Sequence, residues 1–275
     1  MEKTDRICNF KTFWKINFKK GWFKLNILGY ILVTVISIAI SPILKGLVNK
    51  FVEEDEIEER ENAKKDSKKK EKNKTDNKKT KVKFVPEFDW KVTAVTVLLE
   101  TVLFIVFGTT SNFLIYGFLT LLLVIDMFAD IKGCIIPNEI NFIGFIFGIV
   151  LAFAKMSFNI NAGFDSLAGM LVGFLIFLAI AGLSLLLFKR EGMGGGDIKL
   201  MGVLGLYLGF FNTIQVFIFS FFIAAIISVF LLATKIKKSD DYIPFGPFIV
   251  LAAYITMLFP ASVTMPALLQ LMSQF

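Results

Sequence analysis

Apolar residues fall in eight runs along the chain, at 27–47, 92–107, 113–128, 140–154, 167–188, 198–211, 214–234 and 248–259. The longer runs reach or approach the roughly 20 apolar residues that carry a helix across a bilayer. A helix is also the segment that satisfies its own backbone hydrogen bonds there. The pattern predicts an all-α fold, a polytopic membrane bundle of about eight spans with a charged cytoplasmic loop. Several runs are short, which predicts tilt or partial embedding.

The polar positions divide the chain further. Residues 1–25 mix lysines (Lys11, Lys15, Lys19, Lys20, Lys24) with Phe10, Trp14 and Trp22, and read as a basic aromatic segment at the membrane interface. The first span is placed at 26–48, and a charged cytoplasmic loop at 49–90. In that loop an acidic block from Glu53 to Glu61 precedes a lysine block from Lys68 to Lys83. Almost nothing after Ile57 is apolar, so the stretch is expected to be disordered or a solvated helix with a linker's role. The membrane core is placed at 91–260 and a C-terminal tail at 261–275.

Charge orients the bundle. The connections at 129–139, 189–199 and 235–245 carry Lys132, Lys189, Arg190, Lys199, Lys235, Lys237 and Lys238, while those near 108–112 and 212–213 carry none. The positive-inside rule puts the first three in the cytoplasm, with the charged loop. The N-terminus then falls outside, against its own lysines. Either the first span is not a full crossing or the later loops override it.

Composition narrows the chemistry. Of 275 residues, 55% are hydrophobic and 32 are Phe, which excludes a soluble domain of this length. No cleavable leader is expected on this chain itself. The absence of His removes Ser-His and Cys-His catalysis and every histidine metal site. Two cysteines, Cys8 and Cys134, cannot form a four-thiolate zinc site. No metal and no cofactor is expected. The net charge of +7 lies mostly in the first third and in short loops, which suits anionic lipid headgroups rather than nucleic acid. Carboxylates, lysines, hydroxyls and the backbone remain.

Two membrane-edge stretches hold acids. Gly192-Met193-Gly194-Gly195-Gly196-Asp197-Ile198-Lys199 sits between two apolar runs, and an acid at such a place calls for a partner. The second stretch begins with Asp126 and Asp130, four apart and so on one face of a continuing helix, and ends with Ile136-Pro137-Asn138. Two carboxylates held together cannot both ionise, so one can act as base on a water while the other donates to a carbonyl oxygen. The glycines would let an extended substrate backbone approach Asp197. Blander readings stand beside this one. Asp197 could be a helix N-cap, Asp126 or Asp130 an interfacial acid, Glu100 a buried helix-contact acid, and Cys134 a small loop residue. Gly202, Gly205 and Gly209 form a smooth stripe for close helix packing.

The run Gly192 to Leu200 resembles the active-site motif of the type IV prepilin peptidases, membrane aspartic peptidases of the Gly-x-Gly-Asp class. Asp130-Ile131-Lys132 followed by Ile136-Pro137-Asn138 resembles the family's other aspartate motif, and Pro244-Phe245-Gly246-Pro247 the element that opens its last span. The resemblance covers roughly 92–259. It implies that Asp130 and Asp197 are the catalytic pair, with Asp126 a modulating neighbour. Gly194, Gly195, Gly196, Lys199, Pro137 and Asn138 become the expected substrate-binding or loop-shaping residues. The implied substrates are prepilins and pseudopilins of pilus and secretion machines, whose short basic leader is cut at the cytoplasmic edge of the cell membrane. Many bacterial members also methylate the new N-terminus, using a cytoplasmic domain with two Cys-x-x-Cys pairs. That position here holds the cysteine-free segment 50–83, so the expectation is cleavage without methylation. The alternatives are a peptidase that also methylates, a transporter or channel using the acids as an ion site, and a non-catalytic assembly protein.

Overall fold

The computed structural model describes residues 27–68, 85–189, 193–235 and 243–264. The interfacial segment 1–25, most of the lysine block, Gly192, Tyr242 and most of the tail lie outside the described residues. Eight helices follow one another: α1 Ile27–Lys68, α2 Trp90–Phe107, α3 Ser111–Gly133, α4 Asn138–Phe158, α5 Ile160–Phe188, α6 Gly195–Leu208, α7 Phe210–Ala233 and α8 Gly246–Leu258. Each apolar run became one helix. Six are long and apolar enough to cross a membrane. The other two, α6 and α8, have 14 and 13 residues. At 1.5 Å per residue each is about 20 Å long, short of a full crossing.

The chain is a multi-pass membrane protein, and its burial pattern is that of one. Phe142, Phe145, Ile146, Leu175, Phe222 and Val229 are exposed on the outward faces of α4, α5 and α7. Ser37, Thr96, Glu100, Thr120, Asp126, Thr213 and Ser220 are buried between helices. In lipid the apolar side chains face out and the polar ones must find the interior.

The short helix α6 is the centre of the bundle. Leu200 through Leu208 are all buried, with α4, α5, α7 and α8 around them. Glycines on both sides set its approach to α5. A Cβ on Gly173 would lie 2.5 Å from the Met201 carbonyl oxygen, and one on Gly169 2.5 Å from that of Gly205. The stripe Gly202-Gly205-Gly209 therefore meets backbone rather than side chains at its middle. Tyr207 adds a lateral tie, donating its hydroxyl to the Gly144 carbonyl of α4 at 2.9 Å. Lys155 caps the far end, donating to Ser166 Oγ (3.0 Å) and to the Tyr207 carbonyl (3.1 Å). With α6 fixed on three sides, the residues of its first turn have one position.

Two element boundaries differ from the expected ones, for local reasons. The break between α6 and α7 falls at Gly209 rather than at 212–213. Gly209 has φ +82°, a conformation that glycine adopts without steric cost, and the next N–H donates to Asp165 Oδ1 at 3.2 Å. The first helix does not stop at residue 48. It continues through the acidic block to Lys68, with Phe51 and Val52 buried. Lys132 of α3 donates to Asn49 Oδ1 at 2.9 Å, and Lys45 pairs with Asp89 at 3.1 Å, where Asp89 also caps α2 by accepting from the Lys91 N–H. Charge placed on a helix that is already nucleated and clamped to its neighbours extends it.

Candidate active site

The two acid-bearing stretches singled out by sequence meet at one end of the bundle. Helix α3 runs through both Asp126 and Asp130 and ends at Gly133, where Cys134 takes a left-handed conformation (φ 53°) and donates its N–H to the Asp130 carbonyl at 2.8 Å. The chain then passes Ile135 and Ile136 to Pro137, which precedes the first residue of α4, Asn138. The proline's fixed φ and missing N–H suit that place.

On the other side, Gly194 is the N-cap of α6, with no side-chain cap bond, and Asp197 is the third residue of the helix. Asp197 is therefore not the N-cap residue; from the third position its carboxyl bonds back to the Gly194 backbone, and Oδ1 is left without a partner. The two stretches interlock at two points. A Cβ on Gly196 would lie 2.7 Å from Ile136 Cβ, so only glycine allows this approach. Beyond it Lys199 Nζ donates to Asn138 Oδ1 at 2.6 Å. Gly195 is different: a Cβ there meets nothing within 4 Å.

A third segment completes the site. The Gly246 N–H, at the first position of α8, donates to Asp130 Oδ2 at 2.8 Å. A Cβ on Gly246 would lie 2.6 Å from the same oxygen. The Pro-Phe-Gly-Pro element thus brings a helix N-terminus, with its outward N–H groups and positive dipole end, onto Asp130. Both short helices, α6 and α8, begin at the two aspartates.

Asp130 and Asp197 are 3% and 4% exposed, and both line one cavity of about 430 Å³. Asp197 Oδ1 is buried without a hydrogen-bond partner. Burial, and behind it the charge of Asp130, raises the Asp197 carboxyl to about 7, against the opposing hydrogen bond with the Gly194 backbone. Asp126 is 1% exposed and does not line the cavity. It sits one turn back on α3, within electrostatic reach of both other aspartates, and its Oδ1 has no partner. Glu100 is remote, buried in α2 with an oxygen against Gly117.

Every other residue named from sequence for this site borders the cavity: Gly194, Gly195, Gly196, Lys199, Pro137 and Asn138. Sequence reasoning did not place Gly246 there as a contact of Asp130. It also missed Glu54, Asp55 and Glu58 of α1, which form another wall. Their spacing of one helical turn was readable, but only a reader who extended α1 past residue 48 would have used it. Among the described residues no group of three or more His, Cys, Asp or Glu side chains is disposed to hold a metal ion. The arrangement can take a proton from one small molecule in the cavity and give a proton to another.

Comparison with known proteins gives a consistent result. Residues 113–229 match the type IV leader peptidase family. The chain is 29% identical over 150 residues to a prepilin leader peptidase/N-methyltransferase of Aeromonas hydrophila, covering 53% of this chain and 49% of that protein. The protein of the same name from Bacillus subtilis is 30% identical over 146 residues, covering 53% and 55%. That from Pseudomonas aeruginosa is 33% identical over 100 residues, covering 36% and 34%. The matches thus span about half the length of these relatives or less. No solved structure matches the chain.

Proposed function

We propose, from the match of residues 113–229 to the type IV leader peptidase family, that this chain is a membrane aspartic endopeptidase. Its substrates are prepilin-like and pseudopilin-like proteins, whose short basic leader it removes at the cytoplasmic edge of the cell membrane. The observation that carries this reading is the meeting of Asp130 and Asp197, from two interlocked stretches, on the wall of one cavity.

In the proposed reaction the pair shares one proton. The ionised carboxylate takes a proton from a water as its oxygen attacks the scissile carbonyl carbon. The protonated partner gives its proton to the carbonyl oxygen, and the tetrahedral intermediate collapses as a proton passes to the leaving amine. Asp130 is held in place by the Gly246 N–H, and Asp197 by a helix fixed on three sides. This preorganisation is what a water-activating pair requires. The lysines and arginine in the connections at 189–199 and 235–245 support the cytoplasmic orientation, and anionic headgroups as neighbours. The match to a peptidase family favours cleavage over the ion-site and assembly-protein readings.

The relatives' names pair the peptidase with an N-methyltransferase. Our reading assigns this chain cleavage alone, because the stretch after the first span holds no cysteine. Detergent-purified protein, given a prepilin-like substrate and S-adenosylmethionine, is expected to yield a product cut after the leader glycine with an unmodified N-terminus. Mass spectrometry of the product reads both points. A product heavier by one methyl group overturns the restriction to cleavage. An uncut substrate with folded enzyme, across several leaders, overturns the peptidase.

A further inference from the structure

The cavity that holds the two aspartates is bordered on one side by the continuation of α1. Phe51, Glu54, Asp55 and Glu58 stand at intervals of three and four, so they share one face of that helix. That face is anchored beside Asp130. Val52 packs on the end of α3, where a Cβ on Gly133 would be 3.2 Å from its methyl carbons, and Lys132 bonds Asn49. The acidic wall is therefore fixed relative to the catalytic pair and does not swing as a free loop.

The cavity is strongly negative. Its described lining contains six carboxyl side chains, those of Glu54, Asp55, Glu58, Asp130, Glu139 and Asp197, and one ammonium, that of Lys199. Lys199 is bonded to Asn138. Glu54 has Lys50 at 3.8 Å, the outer limit of an ion pair, with both side chains about a third exposed. Independently, Asp197, 4% exposed and with Oδ1 unpartnered, faces the same cavity. The cavity adjoins an apolar groove of about 710 Å³ between α4, α5 and α6, lined by Phe142, Phe145, Leu171 and Phe174 and by no residue of α1. The two share Asn138, Glu139 and Lys199. A chain passing from the cavity into the groove thus leaves a wall of carboxylates for one of hydrocarbon.

We propose that Glu54 and Glu58 on α1 select substrates by pairing with cationic side chains on the N-terminal side of the scissile bond, while the apolar groove takes the segment that follows. This rests on the peptidase reading and deepens it, assigning leader recognition to the acidic continuation of the first helix. Like-charged residues facing a confined cavity attract a cationic segment and repel an acidic one.

The test compares one prepilin-like substrate with three leaders, in which the basic positions are Lys, Gln or Glu. Wild-type protein is expected to prefer the Lys leader over the Gln leader by about tenfold in kcat/KM, as two partly screened ion pairs would give, and the preference should shrink in high salt. In the Glu54→Gln/Glu58→Gln double variant the ratio should collapse toward one, through KM rather than kcat. The Glu54→Lys/Glu58→Lys variant should invert it, favouring the Glu leader. Equal ratios in wild type and both variants overturn the proposal. Binding of a fluorescent Lys-leader peptide, read by anisotropy without cleavage, separates the two readings. Tighter binding to wild type than to the Gln variant supports the acidic wall even if no cut is seen, whereas equal binding refutes it whatever the peptidase does.

Discussion

Asp130→Asn and Asp197→Asn are each expected to lower kcat/KM for leader cleavage by about a thousandfold or more, the scale on which a removed general acid or base acts. Asn keeps the size of Asp and can still accept the Gly246 N–H through its amide oxygen, so the Asp130 variant retains its contact with α8. What it loses is the ability to take or give the proton. Both variants are expected to melt in detergent within a few degrees of wild type, because neither carboxyl makes an ion pair among the described residues. Asp126→Asn is the internal comparison. Asp126 is buried but does not border the cavity, so its removal should change the pH dependence of cleavage more than its maximal rate. Initial rates on a prepilin-like substrate, with melting curves alongside, check all three. Full activity in either Asp130→Asn or Asp197→Asn removes that residue from the catalytic role.

Gly246→Ala should be nearly as damaging, for a geometric reason. The added methyl would lie 2.6 Å from Asp130 Oδ2, inside contact distance, so Asp130 or the start of α8 must move. Pro247 follows directly and α8 is buried along most of its length, which leaves the carboxylate as the part that yields. A displacement of roughly 1 Å in a catalytic group can cost about a hundredfold in rate, and that is the loss expected in kcat. Alanine is a good helix former, so the helix itself should persist. Gly195→Ala supplies the contrast, since a Cβ there meets nothing within 4 Å and cleavage should stay close to wild type. Parallel kcat values for the two alanine variants decide the matter. Comparable activities would mean that the Gly246–Asp130 contact positions nothing.

These two predictions also show where sequence reading stopped. Each apolar run became a helix, because a long apolar segment in a bilayer has few other ways to satisfy its backbone. The Asp130 and Asp197 stretches were legible because their glycines, proline and acids have little reason to stand together at a membrane edge. Their interlocking was not legible. Gly196 against Ile136 and Lys199 against Asn138 are contacts between segments about 60 residues apart. Gly246 was harder still. It acts through its backbone N–H on a residue 116 positions earlier, and a backbone donor has no side-chain signature. The acidic stretch of α1 read as a disordered loop or a solvated helix, since charge usually marks solvent. In the fold it is a helix anchored by Phe51 and Val52 at the cavity's edge. The helix break at Gly209 depended on Asp165 of α5, which local pattern cannot supply.

The central claim is that Asp130 and Asp197 work as one proton-sharing pair, and the pH dependence of cleavage by the wild-type protein tests it most directly. When both are protonated no base is left for the water, and when both are ionised no acid is left for the carbonyl. With Asp197 raised to about 7, the pair's second proton leaves near neutrality. The account predicts a bell-shaped profile of kcat/KM whose alkaline limb falls near pH 7 and whose acid limb lies below it. It also predicts that Asp126→Asn moves the limbs without erasing the bell. A rate that climbs steadily into alkaline pH, as for a lysine or thiolate nucleophile, would contradict the shared-proton mechanism.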